Sequence, residues 1–178
     1  MKNIVGFIHR VATGKRHTRI VLAPVFAAFF LFLVMLTVFL ALKADEVFNL
    51  SAPVGYPWSC VLSLPLLAVG VFLWLWSVLH FIKVKGTPIP VSPPPALVDT
   101  GPYAYTRNPM LTGVFFLLFG TGFAVGSPSL LFFFAPVFVA CSVLVFKFIE
   151  EPELEKRFGE AYREYRRKTP MLIPKLFR

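Results

Sequence analysis

The chain has 178 residues, of which 57% are hydrophobic and only 15% are charged, and it contains 21 phenylalanines. Soluble domains carry about a quarter charged residues, so this composition excludes an ordinary soluble domain and indicates a membrane protein. The net charge of +9 is confined to a few polar segments between long apolar stretches, and this distribution does not favour nucleic-acid binding.

The first forty residues combine a basic segment with an apolar one. Residues 1–19 hold five basic residues and no acid, and their apolar side chains could form one face of a short helix on the membrane surface. The stretch 20–42 is apolar and long enough to cross about 30 Å of hydrocarbon. A signal peptide is the alternative, but its apolar core would be much shorter. We predict an interfacial segment at 1–19 and a retained first span.

Three further apolar stretches predict three more membrane helices. They cover 57–82, 109–125 and 130–149, and only the short turn 126–129 separates the last two, which therefore form a tight hairpin. Prolines and glycines break the segment 83–107, which is too polar for lipid and indicates a loop. The sequence thus predicts an all-α integral membrane protein of about four spans, with residues 20–178 forming one domain.

The tail, 150–178, changes to a charged composition. It opens with Glu150, Glu151 and Pro152, a pattern typical of a helix start. Apolar residues then recur at helical spacing, and Glu153–Arg157 and Glu164–Lys168 form i,i+4 pairs that we place on the water-exposed face. This pattern predicts an amphipathic C-terminal helix that lies along the cytoplasmic surface.

The basic residues predict the orientation of the chain. Placed on the four-span arrangement, 17 of the 18 lysines and arginines fall on one side of the membrane and only Lys43 on the other. Because basic residues accumulate on the cytoplasmic side, we expect both termini, the 83–107 loop and the active-site side in the cytoplasm.

The hairpin places two polar clusters at the same end of the molecule. The start of the third span should meet the end of the fourth, so Arg107 and Asn108 should lie near Lys147, Glu150 and Glu151. Two interpretations are open: snorkelling side chains with an interfacial ion pair, or a pocket for a charged, water-soluble ligand. The sequence shows no nucleophile–base arrangement and predicts no metal site.

Two segments on either side of the hairpin carry a resemblance to a known family. GTPIPVSPPPALVDTGPYAYTRNPMLTG and EEPELEKRFGEAYREYRRKTPMLIP resemble the superfamily of isoprenylcysteine carboxyl methyltransferases and phosphatidylethanolamine N-methyltransferases. The resemblance implies an integral membrane enzyme that uses S-adenosyl-L-methionine. It also implies a lipophilic acceptor within the membrane lipids, either a phospholipid amine or an isoprenoid or prenylcysteine-type carboxylate.

The resemblance further implies which residues contact the cofactor. Asn108 and Leu111 replace the histidine and the tyrosine of the family's Arg-His-Pro-x-Tyr motif. The family's arginine on the prenylcysteine side has no exact match here; Phe146 and Lys147 are nearest to it, and Lys147 is the predicted acceptor contact. The predicted cofactor contacts are Pro95, Ala96, Leu97, Val98, Tyr103, Arg107, Asn108, Pro109, Met110, Leu111, Glu150 and Glu151.

Two other functions remain as alternatives. The first is an NADPH-dependent membrane reductase of the sterol-reductase type, and the second is a non-catalytic membrane scaffold. The Glu150–Glu151 pair disfavours the reductase, because a nucleotide with an additional phosphate prefers basic partners.

Overall fold

The computed structural model describes residues 16–84 and 96–173, together with Val5, Gly6 and Arg10. Most of the predicted interfacial segment 1–19 and the predicted cofactor contact Pro95 lie outside the described residues. All regular elements in the described part are helical, which confirms the predicted all-α class. They are α1 (Arg16–Val47), α2 (Trp58–Lys83), a 3-10 turn (Gly101–Ala104), α3 (Pro109–Val125), α4 (Leu130–Phe158) and α5 (Glu160–Lys168).

Three of these helices are long and apolar enough to cross a membrane. They are the stretch Val21–Val47 of α1, all of α2, and α4. Large apolar side chains such as Phe29, Phe72 and Phe132 are exposed along them, as expected of surfaces that contact lipid. The protein is therefore an integral membrane protein. Helix α3 coincides with the predicted third span, but with 17 residues it is shorter than the other three, so the predicted count of four spans is not confirmed.

Helix α3 packs against α2 through glycines that bring the two backbones together. A Cβ atom built on Gly113 would lie 2.9 Å from the carbonyl oxygen of Gly70, and one built on Gly120 would lie 2.9 Å from the Leu67 side chain. Small residues permit this close approach of helices in membranes, where van der Waals packing is a main source of attraction. The Gly113–Gly70 contact thus fixes where the N-terminus of α3 lies relative to α2.

The predicted turn at 126–129 is confirmed and is tied to the first helix. Gly126 ends α3 with a φ of 66°, a left-handed conformation that suits glycine. The Ser127 hydroxyl donates to a carboxylate oxygen of Asp45 at the end of α1, and the Ser129 N–H donates to the other at 3.0 Å. Asp45 therefore supplies acceptors to the start of α4 and holds α1 to the hairpin.

The end of α4 differs from the prediction in two ways. No new helix begins at Glu150, because α4 continues past 149 through a π-helical turn at Phe146–Glu150 and ends only at Phe158. The amphipathic tail is confirmed as helical, but it is not one helix: Gly159, with a φ of 59°, separates α4 from α5. Periodicity alone did not predict this break, because the apolar spacing continues across the glycine.

We predict that Gly113→Ala destabilises the protein by about 1–3 kcal/mol, since its Cβ would press on backbone atoms of α2 that have no rotamer to change. Alanine has a higher helix propensity than glycine, and this offsets at most about 1 kcal/mol of the destabilisation. Thermal unfolding in detergent, followed by tryptophan fluorescence, measures the change. Gly55→Ala is the control, because a Cβ there has no atom within 4 Å. Equal melting midpoints for both variants would contradict the close α2–α3 contact.

Candidate functional site

The loop before α3 is held against the end of α2 by a glycine and a histidine. Gly101 has a φ of 61°, and a Cβ atom on it would lie 2.6 Å from Nδ1 of His80. Nε2 of His80 lies 3.1 Å from the hydroxyl of Thr100, within hydrogen-bond distance. Sequence reasoning gave His80 no role, because nothing in the local sequence indicates that a residue twenty positions earlier packs on this turn.

Tyr103, a predicted cofactor contact, is buried and contacts both α2 and α5. Its ring packs edge-on against Phe81 with centroids 5.0 Å apart, and its carbonyl oxygen accepts a hydrogen bond of 2.7 Å from the Tyr165 hydroxyl. Burial raises the pKa of Tyr103 and of Tyr165, so both hydroxyls stay protonated at neutral pH. The negative charge of Glu150 also raises the pKa of Tyr103.

The extended end of the tail crosses the loop and forms hydrogen bonds with it. The backbone N–H groups of Arg107 and Asn108 donate to the carbonyl oxygens of Pro170 and Met171 at 2.8 and 3.2 Å. The Thr106 hydroxyl also donates to Met171, at 2.7 Å. Residues 170–172, which we call the strap, therefore fix the backbone from which the Arg107 and Asn108 side chains project. The sequence contains no local signal for this pairing.

Asn108 and Pro109 start helix α3. The Asn108 side-chain oxygen accepts from the Leu111 N–H at 3.2 Å, and Pro109 occupies the first turn, where its missing N–H is not needed. The side-chain amide nitrogen of Asn108 donates to none of the described residues. The side-chain oxygen of Asn108 thus caps the helix, and its side-chain nitrogen remains available to a ligand.

Arg107 and Glu151 form a buried ion pair that joins the loop to the end of α4. Nη1 of Arg107 donates to a carboxylate oxygen of Glu151, and the two side chains are only 10% and 7% exposed. Nε of Arg107 is buried and has no hydrogen-bond partner among the described residues. The sequence prediction that the hairpin brings these two residues together is confirmed.

Tyr162 of α5 lies beside this pair. Its side chain is fully buried, and its hydroxyl, like Nε of Arg107, has no hydrogen-bond partner in the part of the chain that the structure describes. Burial, followed by the Glu151 carboxylate, raises the pKa of Tyr162 to about 12, so the hydroxyl is protonated at neutral pH. Tyr162 is one of the residues that recur at helical spacing in the tail, and that pattern does not indicate its place at the site.

The two glutamates of the pair are not equivalent. Glu151 is engaged with Arg107, whereas Glu150 forms no hydrogen bond or ion pair with the described residues. Glu150 ends the π-helical turn Phe146–Glu150, and such turns often occur at functional sites. Glu150 is thus the acidic group that remains available to a ligand.

The other predicted contacts are less closely clustered. Leu97, Val98 and Met110 are half-buried, Ala96 is exposed, and Pro109 and Leu111 are buried in the first turn of α3. Lys147, the predicted acceptor contact, is exposed on α4, with its ammonium 5.7 Å from the centre of the Phe148 ring. Among the described residues, no group of three or more histidines, cysteines and acids could hold a metal ion.

One predicted surface residue lies instead in the interior. The Glu153–Arg157 pair exists, with 3.5 Å between Nη2 and a carboxylate oxygen, but Glu153 is only 3% exposed and does not lie on a water-exposed face. The Glu164–Lys168 pair, at 2.5 Å, is exposed as predicted. The error on Glu153 arose because helical periodicity assigns faces relative to the helix axis and does not show how α4 packs in this region.

Comparison with known proteins identifies the family. The family described as phospholipid methyltransferase matches residues 58–161, more than half of the chain. Methanethiol S-methyltransferase 2 of Bradyrhizobium diazoefficiens is 39% identical over 75 residues, or 42% of this chain and 27% of that protein. Protein-S-isoprenylcysteine O-methyltransferase of Schizosaccharomyces pombe is 36% identical over 86 residues, or 44% of this chain and 33% of that protein. The chain belongs to the phospholipid methyltransferase family.

The name of this family describes methyltransferases, and the match does not favour the reductase and scaffold alternatives. The matched segments span about a third or less of the two relatives. The acceptors in the relatives' names differ in their nucleophile, being the sulfur of a thiol in one and an oxygen in the other.

We predict that Glu151→Gln lowers the stability by about 3–5 kcal/mol, because it leaves the Arg107 charge buried without its partner. Thermal unfolding in detergent measures the loss. The double variant Arg107→Gln/Glu151→Gln removes both charges and should recover part of the stability.

Glu164→Gln is the matched control for this experiment. It removes an acid from an exposed pair with Lys168, which is worth at most about 1 kcal/mol. If Glu151→Gln unfolds at the same temperature as Glu164→Gln, the buried pair is not the connection that we describe.

Proposed function

We propose that the protein transfers a methyl group from S-adenosyl-L-methionine to a lipophilic acceptor in the membrane. This proposal rests on one observation in a chain of a methyltransferase family. Residues 103–111, which form the end of the loop and the first turn of α3, meet the Glu150–Glu151 pair through the Arg107–Glu151 contact. Two polar segments that are separated by an apolar hairpin meet in one place, as a cofactor site at the membrane edge requires.

The unpartnered polar groups match the chemistry of the cofactor. S-adenosyl-L-methionine carries an ammonium, a carboxylate and ribose hydroxyls. The Glu150 carboxylate would accept hydrogen bonds from the ammonium or the ribose. Nε of Arg107 and the amide nitrogen of Asn108, neither of which donates to a described residue, would donate to the carboxylate. Both signs of charge on the ligand thus have a partner on the protein.

The remaining predicted contacts would line the site. Tyr103 contributes a buried aromatic ring, and Leu97 and Val98 contribute half-buried apolar side chains next to the loop. Leu111 stands where the family motif has a tyrosine and is buried in the first turn of α3. We also assign Ala96, Pro109 and Met110 to this lining from their positions in the motif, as we do for Pro95.

Positioning is the main task of the protein in this reaction. When bound, S-adenosyl-L-methionine supplies a methyl group that its sulfonium centre already activates, so no covalent attachment to the enzyme is needed. The residues of this chain bind the cofactor, align it with the acceptor and exclude water, and alignment alone can lower a barrier substantially. Glu151 contributes indirectly, since it holds the guanidinium group of Arg107 in place.

The acceptor would enter from the lipid and meet the site at the cytoplasmic side. The 17 lysines and arginines on the side of the loop and the tail support this orientation. Lys147, which is exposed on α4 three residues before Glu150, is our candidate for the contact with the acceptor. A phospholipid amine and an isoprenoid or prenylcysteine-type carboxylate are the acceptor classes that we propose.

A titration with purified protein in detergent tests the proposal. We expect S-adenosyl-L-methionine and its demethylated product to bind at micromolar concentration, about −8 kcal/mol, and NADPH not to bind. Glu150→Gln and Asn108→Asp should each weaken cofactor binding about ten- to a hundredfold. The first removes the charge from a charge-assisted hydrogen bond and the second removes a donor to a carboxylate, and such bonds are worth about 1.5–3 kcal/mol.

The choice of variants separates binding from folding. Asn108→Asp keeps the oxygen that caps α3, whereas alanine would remove the cap and cost about 1 kcal/mol of stability. Glu164→Gln is the control and should bind like the parent. Parent-like affinity in both site variants would overturn the proposed site, and binding of NADPH alone would overturn the proposed cofactor.

A further inference from the structure

A basic groove lies beside the loop, at the end of the molecule where α3 begins. Its walls are the last turn of α5 and the strap, and Arg107 contributes to it from the loop. The residues that line the basic groove are Arg107, Arg166, Arg167, Lys168, Thr169, Pro170 and Ile173. The groove thus contains four cations and no acid.

The acids near the basic groove do not occupy all of its N–H hydrogen-bond donors. Arg166, Arg167 and Lys168 each contact one glutamate that lies outside the groove, at 3.1, 3.2 and 2.5 Å. These three pairs are solvent-exposed, and exposed pairs contribute little free energy. A guanidinium group has five N–H donors, so both arginines keep donors for an additional anion.

Arg107 adds a more deeply placed cation to the groove. Its side chain is only 10% exposed, whereas the side chains of Arg166 and Arg167 are 42% and 70% exposed. Because a buried charge is screened less by water and salt than an exposed one, Arg107 strengthens the attraction of the groove for an anion.

The position of the basic groove favours a lipid over a soluble anion. Arg107 directly precedes α3, whose neighbours α2 and α4 are long and apolar enough to cross a membrane, so we place the groove near the lipid headgroups. Ile173, on its edge, is 83% exposed. The sequence from 166 to 178 holds five basic residues and no acid, and it includes Leu176 and Phe177. Basic residues mixed with apolar ones at a membrane surface are typical of binding to anionic lipids.

We propose that the basic groove binds the phosphate headgroup of an anionic phospholipid, which serves neither as methyl donor nor as methyl acceptor. Arg166, Arg167 and Lys168 contact the phosphate at the mouth of the groove, and Arg107 lies at its inner end. The neighbouring Ile173 contacts the glycerol and the upper acyl chains. This site is separate from Glu150, and it does not depend on which cofactor the enzyme uses.

Native mass spectrometry of the full chain released from detergent tests this site with phosphatidylglycerol and phosphatidylcholine as probes. We expect the parent to retain phosphatidylglycerol at about tenfold lower lipid concentration than phosphatidylcholine, which has no net charge. The triple variant Arg166→Gln/Arg167→Gln/Lys168→Gln should lose this preference, since it removes the charges at the mouth of the groove. The single variant Arg167→Gln, at a largely exposed position, should weaken it in the same direction.

Arg163→Gln is the matched control, because Arg163 is an exposed arginine of the same helix that lies outside the groove. It should retain the parent's preference. The proposal is overturned if the parent retains both lipids equally, or if the triple variant and Arg163→Gln behave alike. It is also overturned if millimolar inorganic phosphate removes bound phosphatidylglycerol completely, since the groove would then be a site for a free anion.

Discussion

The buried ion pair between Arg107 and Glu151 is the contact through which two distant parts of the chain become one site. Removing two charges from water is unfavourable, and a buried pair often contributes little net stability. What this pair does contribute is a fixed position, since Arg107 is held on one side by Glu151 and through its backbone by the strap. A ligand that meets this group finds its charge already oriented, which lowers the entropy lost on binding.

The rest of the fold serves to bring that pair together. Helix α3 lies directly against α2 at Gly113, and Asp45 holds the turn between α3 and α4 to the first helix. The loop before α3 is in turn fixed by Gly101 against His80. Because Arg107 and Asn108 directly precede α3, small changes in the packing of this helix should alter the site as well as the stability.

Sequence reasoning predicted the parts of this arrangement that depend on local chemistry and chain connectivity. The apolar stretches, the turn at Gly126 and the meeting of Arg107 with Glu151 follow from hydrophobic length and from the shortness of the turn. The contacts of Asp45, His80 and the strap could not be predicted, because each joins residues far apart in sequence through backbone or side-chain geometry. The burial of Glu153 and the unequal roles of the two glutamates depend on tertiary packing, which helical periodicity does not encode.

The central claim is that residues 103–111 and the Glu150–Glu151 pair of α4 contact the same bound cofactor. Photo-cross-linking with radiolabelled S-adenosyl-L-methionine under ultraviolet light, followed by peptide mapping, tests this most directly. The account predicts labelled peptides from both regions, one containing Tyr103 and one containing Glu150, and protection of both by excess demethylated product. A label in only one region, or in neither, would contradict it.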